Sequence, residues 1–115
     1  MSLNDIERKR IENTVGAFIE KLRPAPHIRS KLDYGFRISN QSVELFEIRP
    51  QWNNPEVRHE SPFAKTTFVR TQAKWKVFWM RADLKWHSYA PLPEVNSIEE
   101  FLTAVKKDDY ACFFG

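Results

Sequence analysis

Glycine is scarce, with three in 115 residues (Gly16, Gly35 and Gly115). A phosphate-cradling loop of the P-loop or dinucleotide type needs several glycines within a few positions, so nucleotide binding of those kinds is excluded. Cysteine is scarcer still. Cys112 alone cannot close an internal disulfide, which fits a reducing compartment, the cytoplasm by default. With His27, His59 and His87 it forms no zinc-ligand spacing, so no metal and no cofactor is expected. Its neighbours Ala111 and Phe113 are apolar, a setting that raises a thiol's pKa and makes it inert. No apolar run approaches the ~18 residues that cross a bilayer, and Met1-Ser2-Leu3-Asn4-Asp5 leads into charge rather than a signal core. Membrane association and secretion are set aside, and Met1-Ser2-Leu3 is given no weight.

What is present is the composition of one folded domain over residues 1–115: 42% hydrophobic, 14% aromatic and 29% charged residues. The net charge of +3 is unevenly spread. Residues 1–31 carry +3, 32–48 carry −2, 49–89 carry +5 and 90–115 carry −3. All four tryptophans (Trp52, Trp75, Trp79, Trp86) fall in the most basic segment. Cations track phosphates and flat rings stack bases, so this interleaving is what a nucleic-acid surface requires. It is equally the pattern of strands with a ring-filled core face and a solvated lysine face.

Asn4-Asp5-Ile6-Glu7 has the form of a capping box and predicts a helix, with Ile11, Val15, Phe18, Ile19 and Leu22 on one stripe and Pro24 and Pro26 ending it. From Leu32 the apolar period becomes two. Asn40-Gln41 then closes a hairpin in which Ile38 faces Val43, Phe36 faces Leu45, Arg37 faces Glu44 and Glu47 faces Tyr34 on the apolar side. Pro50 to Pro62, with three prolines, reads as a loop of about a dozen residues. Ala64–Thr71 and Lys74–Ala82 read as a second strand pair around Gln72-Ala73, placing Arg70 across from Trp75, and Trp86–Tyr89 as a fifth strand. Ser97-x-x-Glu100 predicts a second helix carrying Ile98, Phe101, Leu102 and Val105. The apolar tail Tyr110 to Gly115 is expected to dock, as a final edge strand for instance. The fold class is α+β: an N-terminal helix, a four- to five-stranded antiparallel meander sheet, and a C-terminal helix packed on one sheet face. The other face carries Val69, Phe78 and Met80 among lysines, and the loop, the tail, a second subunit or a ligand must cover it.

Two constellations stand out. On the second face, Lys65, Lys74, Lys76 and Lys85 with Trp52 and Phe78 form a candidate binding surface for nucleic acid or another polyanion. On the core side, Tyr34, Glu47, Arg49, Trp79 and Arg81 form a candidate polar pocket, the alternative being that Glu47 and Arg81 neutralise each other or meet helix ends. Asp33 with Glu47-Ile48-Arg49 is the nearest approach to a metal-dependent nuclease, with Arg in place of the usual Lys and the two carboxylates on opposite faces.

The run Trp75-x-x-x-Trp79-x-Arg81-x-Asp83-x-x-Trp86-x-x-Tyr89-x-Pro91, preceded by Arg49-Pro50-x-Trp52 and Pro62-x-Ala64-Lys65 and closed by Phe113-Phe114-Gly115, resembles a small bacterial family, domain of unknown function 3024. The resemblance covers nearly the whole chain. It implies a cytoplasmic bacterial protein of one domain and brings no activity, cofactor or site residue. Read physically, Asp83 suits a turn and a pairing with Arg81 or Lys85, and Trp86 and Tyr89 return rings to the sheet. The expected function is a non-catalytic binding module, dimeric, with the basic aromatic face as its site. The alternative is a homodimeric interaction subunit closed through that face. An enzyme requires Tyr34, Glu47, Arg49 and Arg81 to converge.

Overall fold

The computed structural model describes residues 3–109 and 112–114. Helix α1 runs Asp5–Leu22, and its capping box is complete: the Asn4 side chain accepts from Glu7 N and the Glu7 carboxylate from Asn4 N. Each bond satisfies a backbone donor that helix geometry leaves open. Ile11, Val15 and Ile19 are its buried stripe. Leu3 also joins the core, so this residue does carry structural weight, while Met1 and Ser2 lie outside the described residues.

Strands β1 (Asp33–Ser39), β2 (Ser42–Gln51), β3 (Asn54–Val69), β4 (Lys74–Met80) and β5 (Trp86–Ser88) follow in an antiparallel meander, and β6 (Glu94–Val95) returns to pair with β4 beyond β5. Helix α2 runs Ile98–Lys107, capped by Ser97, and ends at Asp108 in a left-handed conformation. The helices lie on one side of the sheet, with Ile11, Val15, Phe101 and Val105 packed against Val43, Leu45, Ala64 and Val77 in one core.

The first hairpin has the expected register, Ile38↔Val43, Phe36↔Leu45, Arg37↔Glu44 and Tyr34↔Glu47. Asn40 takes the positive φ of the turn, 54°, which asparagine tolerates better than most residues. Gly35 lies opposite Phe46, where a Cβ would come within 2.7 Å of the ring, so the ring covers backbone that only glycine leaves free. The second hairpin departs from expectation. Arg70–Ala73 is a four-residue connection, and Phe68 rather than Arg70 faces Trp75. The slip is two residues, so the predicted faces survive it. Arg70 instead reaches Glu7 of α1 at 2.8 Å, and its guanidinium lies over Phe68.

Pro50–Pro62 is not a loop. β2 and β3 continue as a two-stranded arm turning at Trp52-Asn53, with Arg49↔His59 and Pro50↔Arg58 paired; Gln51 then faces Asn54, so Pro55, Glu56 and Val57 bulge out of the ladder just below the tip. Prolines are tolerated because β1 stops opposite Ile48 and β4 opposite Ala64, leaving the outer edges of the arm without neighbours that need an N–H donor. A bulge between Leu45 and Phe46 makes Phe63 the extra residue, so Phe63 and Ala64 are buried in succession. The fifth strand stops at Ser88. The tail is not an edge strand over Cys112–Phe114: Asp108 accepts from Phe113 N and Phe114 N at 2.9 Å each, and Phe113 packs on Tyr89 in the core. Tyr110, Ala111 and Gly115 lie outside the described residues.

Candidate nucleic-acid interface

With both helices and Phe113 on one side, no described helix or tail residue lies over the other face of the sheet. Strand alternation sets that face in ranks. Arg37, Glu44, Lys65, Phe78 and Ser88 form one rank across β1 to β5 and Ser42, Thr67 and Lys76 a second; past the bulge, Phe46 follows Glu44 on this face of β2, and Met80 pairs with Trp86. Lys65 is the centre of the arrangement. Its Nζ lies 5.1 Å from the Phe78 ring centroid and 5.1 Å from that of Trp86. Arg37 covers Phe46 at 4.8 Å and is ion-paired with Glu60 of the arm. Each exposed cation–π contact is worth only ~0.5–1 kcal/mol, too little to hold a lysine against a better partner.

The structure separates the proposed surface residues. Lys65, Lys76 and Phe78 share the open face, Lys76 being exposed. Lys74 sits at its margin, where Nζ donates to Asn96 Oδ1. Lys85 is exposed in the turn before β5, and its backbone N–H donates to Asp83. Trp52 does not join Phe78. It stands at the tip of the arm, 92% exposed, eight residues along β2 from the Glu44 rank, roughly 26 Å at ~3.3 Å per residue. Sequence reasoning omitted Arg37, Phe46 and Trp86 from the site. Trp86 is placed by the β4–β5 pairing, which the Asp83 turn sets and no hydrophobic period reveals.

The core-side constellation is only partly brought together. Tyr34 and Glu47 are cross-strand neighbours, and Arg49 Nε donates to Glu47 Oε2 at 3.0 Å, so Glu47 pairs with Arg49 rather than Arg81. Burial, and secondarily the Glu47 charge, pushes the Tyr34 hydroxyl above its ordinary pKa. Beside Tyr34 stand Phe63 and Phe114, edge-on at 6.1 and 6.4 Å. Trp79 and Arg81 form a separate pair, with the guanidinium 5.5 Å from the ring. Asp33 is held by Arg23 through two bonds of 2.8 and 3.0 Å and also accepts from Tyr34 N, which keeps its carboxyl below the usual aspartate range. Both acids of the nuclease-like arrangement are therefore engaged by guanidinium groups. Asp83 accepts from Lys85 N and meets His87 Nε2 at 2.8 Å; His87 is the side-chain partner, not Arg81 or Lys85. Burial raises the Cys112 thiol pKa, with the Asp108 charge adding to it. Among the described residues no three His, Cys, Asp or Glu side chains cluster as a metal site, and no helix is long and apolar enough to cross a membrane.

Fold and surface define an α+β domain with a two-helix layer on one sheet face, a mixed basic and aromatic opposite face, and a projecting β-arm. The model of the family described as Domain of unknown function (DUF3024) matches residues 3–115, and the chain belongs to that family. No curated protein and no solved structure gave a significant match.

Proposed function

We propose that the protein is a non-catalytic binding module of the bacterial cytoplasm whose open sheet face takes nucleic acid or a comparable polyanion, single strands in particular. The observation that carries this reading is the Lys65 ammonium lying between the rings of Phe78 and Trp86 on a face that no described helix covers. Stacking a base on an aromatic side chain is worth ~1–3 kcal/mol, more than the cation–π contact it displaces. The released ammonium is then within side-chain reach of the phosphate that follows the base. Unstacked bases are presented by single strands, whereas a duplex hides its ring faces. The lone thiol fits a reducing compartment, and the bacterial setting is what the family resemblance implies.

Glu44 separates Arg37 from Lys65, and Glu94 is the cross-strand partner of Lys76. The face therefore neutralises about three phosphates, and log K against log salt is expected to fall with a slope of about −2. A second reading has its own observation: the half-buried Phe78, Met80 and Trp86 make the same face apolar enough to close a homodimer, with the lysines as its rim. Light scattering and fluorescence anisotropy with labelled single strands and duplexes, across salt concentrations, separate the two. Salt-dependent binding weakened by Lys65→Ala and Lys76→Ala supports the nucleic-acid reading, whether the protein is a monomer or a dimer. A salt-indifferent dimer that binds no oligonucleotide overturns it in favour of the interaction subunit.

A further inference from the structure

The arm is a second surface, and it joins two basic parts of the chain. The connection between α1 and β1, residues 23–32, contains Arg23, His27, Arg29 and Lys31 and no acid. Arg58 of the arm donates from Nη2 to Arg29 O at 2.7 Å, and Arg29 Nε in turn donates to Pro24 O at 3.0 Å, which fixes this connection against the base of the arm. Among the described residues neither Arg29 nor Arg58 has a carboxylate within ion-pair distance, although the Arg29 charge helps to hold the Asp33 carboxyl down, and Lys31, two residues along from Arg29, is exposed. At the tip, Trp52 is 92% exposed, and no described group hydrogen-bonds the side-chain amides of Gln51, Asn53 and Asn54. A tryptophan exposed to this degree buries almost none of its ring in the fold.

We propose that the arm enters the major groove of double-stranded DNA, with Arg29, Lys31 and Arg58 on the flanking phosphates and the tip residues at the base edges. The depth agrees. The major groove, ~12 Å wide and ~8.5 Å deep, admits a two-stranded element, and the arm enters it tip first as the Gln51↔Asn54 pair, with the bulge Pro55–Val57 on one strand. Trp52 stands two residues beyond Pro50, the partner of Arg58, so the backbone reaches roughly 7 Å past the cationic level and the indole covers the remainder. Asn and Gln amides are the groups that pair with adenine edges, and the indole can pack on a thymine methyl. The deep, narrow major groove of A-form RNA does not admit the ribbon, so the partner is DNA. Glu56 is the one acid of the arm that lies between tip and base, and it opposes the contact.

This surface is distinct from the open sheet face, and either can fail alone. The test is anisotropy titration of full-length protein with a labelled duplex of about 20 base pairs, its RNA counterpart and the single strand. The protein is compared with Trp52→Ala, with Arg29→Ala/Arg58→Ala and with Glu56→Gln, unfolding midpoints serving as the check on the fold. Expected are duplex DNA affinity about tenfold lower for Trp52→Ala, a salt slope shallower by about 2 for the double variant, a gain for Glu56→Gln, and unchanged single-strand binding. Duplex binding that all the arm variants retain overturns the proposal and leaves the sheet-face reading standing. Absence of duplex binding, or arm variants that change only the oligomeric state, also overturns it, the latter assigning the arm to self-association.

Discussion

The two faces of the sheet are built from the same strands and share one alternation, yet they differ in what completes them. On the helix side, Val43, Leu45, Ala64 and Val77 are fully buried by α1 and α2, and the polar Thr66 among them donates to Lys76 O. On the other side Phe78, Met80 and Trp86 remain half-buried, and a lysine rather than an apolar side chain fills the space between two rings. The helix face stabilises the fold through excluded water, and its groups have no alternative partner. The open face carries weak contacts that a ligand or a second subunit can replace. Function is therefore sought where the structure is least committed.

The sharpest way to break this contrast is to truncate each face in turn. Phe101→Ala removes a fully buried ring and is expected to cost about 3–5 kcal/mol, read from urea unfolding, whereas Phe78→Ala costs under about 1.5 kcal/mol. Equal costs would show the open face to be core. Gly35→Ala tests a place where the open face is closed by a ring. Its Cβ would fall 2.7 Å from Phe46 Cε1, a clash with a buried aromatic that is expected to cost about 1–3 kcal/mol.

Asp33, buried where α1 feeds into the sheet, gives the pH dependence. Its two bonds from Arg23 lower its folded-state pKa below the unfolded value. The stability this contributes is present above the ordinary aspartate range and is lost as pH falls below about 4 through the folded value. Asp33→Asn is expected to lower stability at neutral pH by about 1–3 kcal/mol and to flatten the acid limb of a pH–stability profile. The smallest effect belongs to Leu84, exposed and held at φ 61°. Leu84→Gly is expected to raise stability by a few tenths to 1 kcal/mol while leaving both faces unchanged.

The fold class, both helix caps and the first hairpin were legible because short-range chemistry decides them: an asparagine that accepts from the third residue on, and a turn too short to permit a different register. The second hairpin was misread by two residues because a slip of two leaves every side chain on its expected face, so amphipathicity cannot detect it. The arm was read as a loop because its prolines look like breakers, and their tolerance depends on where β1 and β4 stop. β6 is two residues long and follows Pro91-Leu92-Pro93; only its pairing with Trp75 and Lys76 defines it. Of the candidate surface, Lys65, Lys76 and Phe78 followed from alternation. Trp86 and Arg37 needed the complete strand order, and Trp52 was assigned to the wrong surface because the arm was not recognised.

The four tryptophan indole N–H signals in a nitrogen–proton NMR spectrum test the account most directly, because each ring marks a different region. Trp86 lies on the open face, Trp52 at the arm tip, and Trp75 and Trp79 on the helix side. On titration with a single-stranded oligonucleotide the account predicts that the Trp86 signal shifts in a salt-dependent way while that of Trp75 stays in place. A Trp86 signal that does not respond, or shifts spread evenly over all four rings, would contradict the assignment of the open face as the binding surface.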